Sequence, residues 1–272
     1  MTNGGLCVNG YHYGLEISGS GEGLLLLHGF GGDKTMWADL RARLDSEYRV
    51  IAADILGHGT SDKPSQVPAY HMERVSRDIL SLLDELRIPE CHMLGYSMGG
   101  RLALHLAACY PGRFRSLILE SASPGLADDC ERAQRRRQDE ALAGRIETMG
   151  IAWFADYWEK LPLWKSQVKL SEDILSAQRK QRLGNSATGL ANSLRGMGSG
   201  AQPNLWPRLG QVMMPTLLLV GEGDSKFVAI NQLMARQIPR TDLRVIPDAG
   251  HNIHLEQPLV FQEQVNSFLQ GR

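Results

Sequence analysis

The chain has 272 residues, of which 43% are hydrophobic and 22% charged, and its formal net charge is −1. These proportions are typical of a globular protein that buries enough apolar surface to fold without disulfide bonds or a structural metal. A charge this close to zero offers no attraction to nucleic acid or to a membrane surface, and we expect neither as a partner. The apolar runs are too short to cross a bilayer, so no membrane insertion is expected.

The N-terminus lacks a basic segment followed by an apolar one, so we predict no signal peptide. None of the four cysteines, Cys7, Cys91, Cys109 and Cys130, forms a C-x-x-C pair. Cys91 and Cys109 lie in apolar runs that are typical of buried thiols, which suits a reducing cytosol. We therefore expect a cytoplasmic protein, as a monomer or a small homo-oligomer.

The first part of the chain alternates predicted strands and helices. Loose alternation over residues 7–18 predicts an antiparallel hairpin, and helical spacing of apolar residues predicts helices over 36–44 and 72–86. Apolar runs predict strands at 24–27, 49–53, 91–95 and 117–119. This alternation predicts an α/β protein with a doubly wound, mostly parallel sheet.

From about residue 121 the alternation stops, and residues 121–210 contain no convincing strand. They contain a charged run, an aromatic cluster and a patch rich in Gly, Ser and Asn. We interpret this segment as a helical cap on a core made of residues 1–120 and 211–272. The alternation resumes with strands at 216–220 and 243–246, a helix over 229–238, and a closing helix with Phe261, Val265 and Phe268 on one face.

The chain is organised around a Gly-x-Ser-x-Gly motif centred on Ser97. A short apolar run precedes it and an Ala- and Leu-rich segment follows, which indicates a strand, a sharp turn and a helix. Gly95 and Gly99 suit such a turn, because a side chain at either position would strike the neighbouring elements. The turn exposes the Ser97 hydroxyl beside a helix N-terminus, where the backbone N–H of Met98 can receive a developing negative charge.

Two further polar residues end strands on the same predicted edge of the sheet. Asp224 follows the strand at 216–220, and His251 follows the strand at 243–246. The chain order Ser, Asp, His is that of a nucleophile-elbow triad. A serine hydroxyl needs an imidazole to take its proton, and a carboxylate must orient that imidazole, so we predict Ser97, His251 and Asp224 as catalytic residues.

Other residues compete for these roles. Glu120 also ends a strand and is a second candidate for the acid, while His254 is a neighbour of His251. His28, which opens a glycine-rich turn after the strand at 24–27, is a candidate base, although we favour a role in bracing that turn. In the same turn the backbone N–H of Phe30 is our candidate for a second oxyanion donor.

The loop after the strand at 49–53 contains two further polar candidates. Asp54 and His58 lie in a segment dense in Gly, Asp and Ser. Both are interpreted as hydrogen-bonding residues that shape the loop rather than as catalytic groups.

Over its whole length the sequence resembles the α/β-hydrolase superfamily. The resemblance rests on His28-Gly-Phe30, on Asp54-x-x-Gly-His-Gly-x-Ser61, on Gly95-Tyr-Ser-Met-Gly-Gly100 and on Gly250-His251. The fold hosts esterases, C–C hydrolases, haloalkane dehalogenases and lyases, so it does not fix the function.

Narrower motifs resemble the MenH family of menaquinone biosynthesis, in particular Glu120-Ser-Ala-Ser-Pro-Gly-Leu126, Asp156-Tyr-Trp-Glu-x-x-Pro162 and Ala249-Gly-His-Asn-x-His-x-Glu-x-Pro258. The resemblance implies a carbon–oxygen lyase that eliminates pyruvate from 2-succinyl-5-enolpyruvyl-6-hydroxy-3-cyclohexene-1-carboxylate. It further implies that the triad serine acts as base on a ring C–H, while the oxyanion hole holds charge on the succinyl carbonyl.

Such a small-molecule substrate carries three carboxylates, which arginine binds well through paired hydrogen bonds. Arg101 lies one helical turn after Ser97 and should face the site. The family register implies Arg135 and Arg182 as further substrate-binding residues, although Arg136 competes with Arg135.

Tyr96 and Trp158 are plausible substrate-binding aromatic residues, and Tyr157 competes with Trp158 for the position facing the substrate. A carboxylesterase or C–C bond hydrolase that uses the same triad is the alternative function. We expect no cofactor, and the histidines lack metal-ligand spacing.

Overall fold

The computed structural model describes residues 2–271, which contain a single eight-stranded sheet with the order β1-β2-β4-β3-β5-β6-β7-β8. The strands are β1 (Thr2–Val8), β2 (Tyr11–Ser18), β3 (Glu22–Leu27), β4 (Tyr48–Ala53), β5 (Cys91–Tyr96), β6 (Phe114–Glu120), β7 (Thr216–Gly221) and β8 (Thr241–Ile246). The hairpin β1–β2 pairs antiparallel, as does β2 with β4, and all other pairs are parallel. The predicted α/β class is confirmed.

Helices cover both faces of this sheet. They are α1 (Ala38–Leu44), α2 (Met72–Glu85), α3 (Met98–Cys109), α4 (Asp129–Glu159), α5 (Glu172–Leu183), α6 (Ala187–Met197), α7 (Ser225–Ala235), α8 (Ile253–Glu256) and α9 (Pro258–Gln270). Helix α7 begins four residues before the predicted helix over 229–238 and ends three residues earlier, because Asp224 closes the turn that follows β7.

The strand β3 shows how the sheet is buried from two sides. Its leucines alternate between the two core clusters: Leu25 and Leu27 pack with α2 and α3, whereas Leu24 and Leu26 pack with α1 and α9. A strand covered on both faces needs apolar residues at every position, which explains the unbroken leucine run.

Between β6 and β7 the described residues form helices and turns but no strand. Helices α4 and α6 pack around a separate apolar cluster that includes Ile146, Phe154 and Leu190. Helix α4 is broken at Gly150, whose backbone φ of 83° and ψ of 176° are open to glycine alone. The division into a core and a cap over residues 121–210 stays a prediction.

The parallel strands all end at one edge of the sheet, and this edge carries the polar residues singled out in the sequence. Tyr96 and Glu120 face each other in register at the ends of β5 and β6, and Gly221 faces Ile246 at the ends of β7 and β8. Ligands of open parallel sheets bind at this edge. No helix among residues 2–271 has the length and apolar character needed to cross a membrane.

Candidate active site

Ser97 lies in the turn between β5 and α3 with a left-handed backbone, φ 50° and ψ −107°. This turn leaves no room beside it. A Cβ built on Gly95 would lie 2.4 Å from the carbonyl oxygen of Gly99, and one on Gly99 would lie 2.3 Å from that of Leu27. The two glycines therefore let α3 begin directly against the sheet, which presents the Ser97 side chain at the strand edge.

A continuous line of hydrogen bonds links three side chains at this edge. His251 Nε2 lies 3.0 Å from Ser97 Oγ, and His251 Nδ1 lies 2.6 Å from Asp224 Oδ2. Because a carboxylate only accepts, the Nδ1 atom carries the proton and the Nε2 atom faces the hydroxyl. This is the arrangement that the predicted roles of Ser97, His251 and Asp224 require.

The loop that carries His251 is held by a buried carboxylate, Glu256, which the motif ending at Pro258 contains but to which the sequence assigned no role. Glu256 Oε2 accepts the backbone N–H of Gly250 at 2.7 Å, and its Oε1 accepts that of Asn252 at 3.4 Å. Both bonds flank His251 and fix the position of its ring. A glutamate five residues after a histidine carries no signal of its own in a single sequence.

The two predicted oxyanion donors lie on either side of Ser97. Met98 is the first residue of α3, and Phe30 belongs to the turn after β3, where a Cβ on Gly29 would lie 3.6 Å from that of Ser97. Neither the Phe30 nor the Met98 backbone N–H donates to an acceptor among the residues that the structure describes. Two such donors beside the nucleophile suit a developing oxyanion.

The other candidates in the nearby loops are occupied with structural bonds. The His28 ring accepts the backbone N–H of Ile55 at 2.9 Å. Asp54 accepts bonds from the Lys34 side chain and from Thr60, both at 2.7 Å. These contacts agree with the interpretation of His28 and Asp54 as groups that brace their loops.

His58 is completely buried, and its ring packs against those of His28 and Phe30, with centroid distances of 5.0 and 5.7 Å. Burial is the main reason that its pKa falls to about 3, with the charge of His28 as the next cause. His58 is therefore neutral at physiological pH and supports the Phe30 turn by packing.

Glu120 and His254, the two rivals of the predicted triad, pair with each other. Glu120 Oε2 lies 2.7 Å from His254 Nδ1, and its Oε1 accepts the His254 backbone N–H at 3.0 Å. Glu120 is fully buried at the end of β6. Neither residue contacts Asp224 or His251 by a hydrogen bond, so the two carboxylate–imidazole pairs are separate.

Two cavities meet at Ser97. The small chamber, of about 280 Å³, is lined by Tyr96, Trp164, Arg182 and His254 among others. The large chamber, of about 1410 Å³, is lined by Arg101, Arg135, Asp224 and His251 among others. Four residues line both cavities, and they are Phe30, Ser97, Trp158 and Leu163. A ligand at Ser97 can thus extend into both chambers.

Arg101 is half-buried on the wall of the large chamber. Its Nη1 donates to the carbonyl oxygen of Met197 at 2.8 Å and to Gln202 Oε1 at 3.2 Å, and no carboxylate of the described residues forms an ion pair with it. Burial, followed by the charge of Arg135, lowers the pKa of Arg101 to about 10. It remains a cation at neutral pH, with its charge available to an anion in the chamber.

The cap arginines divide between the chambers. Arg135 lines the large chamber and pairs with Asp139 at 2.7 Å, whereas Arg136 donates to the carbonyl oxygen of Gly200. Arg182 lines the small chamber and contacts Glu159 at 3.2 Å. The arginines therefore do not converge on one point, but approach Ser97 from two sides.

The two candidate aromatic residues, Tyr157 and Trp158, point in different directions. Trp158 lies between the chambers, with its ring 5.2 Å from that of Phe30. Tyr157 stacks on Trp153 instead, under the guanidinium of Arg145. The structure thus brings Trp158, and not Tyr157, to the cavity.

Tyr96 lies in the wall of the small chamber, and its ring separates His251 from His254 with centroid distances of 5.6 and 4.8 Å. Burial, followed by the charge of Glu120, raises the pKa of Tyr96 far above its usual value. Its hydroxyl is buried and has no hydrogen-bond partner among the described residues.

No group of three His, Cys, Asp or Glu side chains within residues 2–271 is arranged to hold a metal ion. The described cysteines are all free thiols. Cys91 is buried as predicted, but Cys109 is only half-buried, since it lies at the end of α3, where Arg208 contacts its sulfur at 3.2 Å.

The sequence and the fold of this chain are similar to those of known proteins. The model of the α/β hydrolase fold family matches residues 23–258. A Bacillus subtilis (strain 168) relative, provisionally named 2-succinyl-6-hydroxy-2,4-cyclohexadiene-1-carboxylate synthase, is 42% identical over 96% of this chain and 96% of its own length. The structure of MenH from S. aureus has a TM-score of 0.90 and 37% identity over 96% of this chain and 98% of that one.

A thermophilic esterase from Thermogutta terrifontis, studied with malate bound, is also similar in structure. Its TM-score is 0.86, with 29% identity over 100% of this chain and 99% of the esterase. The same fold and a comparable length are therefore found in proteins with different named activities.

Proposed function

This chain belongs to the α/β hydrolase family and, within it, to the MenH family, and from this membership we propose that it eliminates pyruvate from 2-succinyl-5-enolpyruvyl-6-hydroxy-3-cyclohexene-1-carboxylate. The product is 2-succinyl-6-hydroxy-2,4-cyclohexadiene-1-carboxylate, which gives the protein a role in menaquinone biosynthesis. The observation that carries the proposal is Arg101, a cation without a carboxylate partner in the cavity beside Ser97. A substrate with three carboxylates is stabilised by such a charge, whereas a neutral ester offers it no partner.

In the proposed reaction Ser97 acts as the base. His251 Nε2 takes the Ser97 proton, and Asp224 stabilises the imidazolium that forms. The Ser97 oxygen then removes the hydrogen at ring C2, which is acidic because the succinyl carbonyl is attached there. The charge that develops on this carbonyl oxygen is stabilised by the backbone N–H groups of Phe30 and Met98.

The electron pair from C2 completes the elimination. The C2–C3 double bond forms, the C3–C4 double bond moves to C4–C5, and the bond from C5 to the enolpyruvyl oxygen breaks. The leaving group takes up a proton and becomes pyruvate. Arg101 and Arg135 in the large chamber, and Arg182 in the small chamber, supply cations for the three carboxylates of the substrate.

The alternative is a carboxylesterase, which the complete hydrogen-bonded triad and the 29% identical esterase support. In that reaction Ser97 attacks an ester carbonyl and forms an acyl-enzyme.

One experiment separates the two functions. Pyruvate release from freshly prepared substrate is followed with lactate dehydrogenase, beside a panel of p-nitrophenyl esters. We expect pyruvate release well above the rate without enzyme, with slow ester cleavage. Rapid ester cleavage, with pyruvate release no faster than without enzyme, would reject the lyase in favour of the esterase.

A further inference from the structure

The Glu120–His254 pair has the same construction as the Asp224–His251 pair, but faces the other chamber. In each pair a carboxylate oxygen lies close to Nδ1 of the imidazole, at 2.7 Å for Glu120 and 2.6 Å for Asp224. Tyr96 separates the two rings. Whereas His251 Nε2 contacts Ser97, the Nε2 atom of His254 has no hydrogen bond to any described residue, and His254 lines the small chamber.

The surroundings hold the His254 ring in one orientation. Glu120 uses both carboxylate oxygens on His254, one on the ring and one on the backbone N–H. The rings of Trp37, Tyr96 and Phe261 enclose the imidazole, with centroid distances of 4.9, 4.8 and 5.8 Å. A histidine fixed in this way presents Nε2 at a constant place in the chamber, as a positioned acid or base must be.

The proposed elimination needs an acid as well as a base. The base removes hydrogen from C2, and the leaving oxygen departs from C5, which lies directly across the six-membered ring. With C2 at Ser97, a substrate that extends into both chambers places C5 and its leaving oxygen toward the chamber on the other side of Ser97 from the ring substituent at C2. Because His251 already hydrogen-bonds Ser97 and takes its proton, we expect a separate acid in that chamber.

The titratable groups of the small chamber that bear on this role are Tyr96, Arg182 and His254, with Glu120 behind His254. The raised pKa of Tyr96 means that its hydroxyl donates a hydrogen bond but keeps its proton. Arg182 is a permanent cation. Of the three side-chain types, an imidazole is the one that proteins ordinarily use as a general acid, which leaves His254 as the candidate.

We propose that the small chamber receives the three-carbon enolpyruvyl group and that His254 is the general acid that protonates its leaving oxygen. This inference rests on the proposed lyase function. As the C5–O bond breaks, its electron pair stays on oxygen and takes the proton from His254 Nε2. The enol of pyruvate forms, and in water it rearranges to pyruvate. Ser97 keeps the proton that came from C2, His251 releases to solvent the proton that it took from Ser97, and His254 regains a proton from solvent.

The small chamber suits this group in size and in chemistry. A volume of about 280 Å³ accommodates a three-carbon acid but not the whole substrate. Arg182 lines this chamber and can bind the carboxylate, and the rings of Tyr96 and Trp164 form part of the chamber wall. The large chamber is then left for the ring and its succinyl chain.

The test compares the wild type with His254→Asn, whose amide nitrogen can replace Nδ1 as the donor to Glu120 while Nε2 is removed. Pyruvate release should slow by about 10²–10⁴-fold in kcat, which is the usual contribution of a general acid. In D₂O the recovered substrate should gain deuterium at C2, because Ser97 still removes the proton but the leaving group departs slowly.

A fluorophosphonate that reacts with Ser97 provides the control for the triad, and it should label His254→Asn as fast as the wild type. Slower labelling in parallel with the lost activity would show that the Glu120–His254 pair only braces His251, and would overturn the inference. His254→Gln, which can donate a hydrogen bond from near the Nε2 position but cannot transfer a proton, should be as slow as His254→Asn.

The outcomes also separate this inference from the proposed function. If the wild type releases no pyruvate above the spontaneous rate, both fail. If the wild type is active and the folded His254→Asn and His254→Gln variants release pyruvate at the wild-type rate, the lyase function stands and the acid role of His254 is rejected.

Discussion

The strand edge of the sheet and the cap hold their functional residues in different ways. At the edge, Ser97 and His251 are fixed by backbone packing: Gly99 leaves no space for a Cβ against Leu27, and Glu256 binds the N–H of Gly250. In the cap, position depends on long side chains, and the side chain of Arg135 is 40% exposed. We therefore predict that the edge determines the chemistry, whereas residues 121–210 determine which substrate is bound.

The largest expected effect lies at the edge. Ser97→Ala should reduce kcat for pyruvate release by about 10⁴-fold or more, because removal of one triad member disables the whole unit. The matched control is Ser46→Ala, which removes a hydroxyl from an exposed position that lines neither chamber and should change kcat little. Substantial turnover by Ser97→Ala would contradict the assignment of Ser97 as the base.

A smaller effect is expected where edge and cap meet. Arg101→Gln should lower kcat/KM by about 10–100-fold, the value of one or two hydrogen bonds to a charged group. Arg136→Gln is the control, since Arg136 also donates to a backbone carbonyl near the end of the cap but does not line the cavity. Steady-state kinetics and thermal unfolding of both variants test this, and equal losses in the two would reject Arg101 as a carboxylate-binding residue.

The last prediction concerns not the reaction but the pH dependence of the free energy of unfolding, to which two buried histidines in the loops at the edge contribute. Burial lowers the pKa of His58 to about 3, and it lowers the pKa of His28 as well. Between pH 6.5 and 3 the unfolded chain therefore binds protons that the folded chain does not, and stability is lost as pH falls. For His58 the slope should approach about 1.4 kcal/mol per pH unit.

Urea unfolding at several pH values measures this slope. His58→Gln should reduce the dependence of the free energy of unfolding on pH, whatever its effect on stability at pH 7. His71→Gln, at an exposed position, is the control. An unchanged slope in His58→Gln would show that the Phe30 turn does not depend on a neutral imidazole.

Much of the edge was predictable from sequence because its signals are local. Unbroken apolar runs mark strands buried on both faces, and Gly95-x-Ser-x-Gly99 specifies a turn that only glycines fit. The order of Ser97, Asp224 and His251 at strand ends follows from the alternation of strands and helices. The first two inferences need only a few neighbouring residues, and the third needs only the order of the predicted elements.

The remaining features depend on contacts between distant segments. Glu120 and His254 appeared as rivals of the triad, and only the approach of β6 to α8 shows that they bind each other. The choice between Arg135 and Arg136 depends on the rotation of α4, which a run of three arginines leaves undefined. The division of the cavity likewise arises where Trp158 of the cap meets a turn of the core.

The break at Gly150 has an evolutionary consequence. It joins two arms of α4, of which the first carries Arg135 to the large chamber and the second carries Trp158 to the boundary between the chambers. One backbone position thus sets the spacing between two walls of the cavity. A substitution at this joint would move Trp158 relative to Arg135, so evolution can reshape the cavity while the turn at Ser97 and its hydrogen bond to His251 are inherited unchanged.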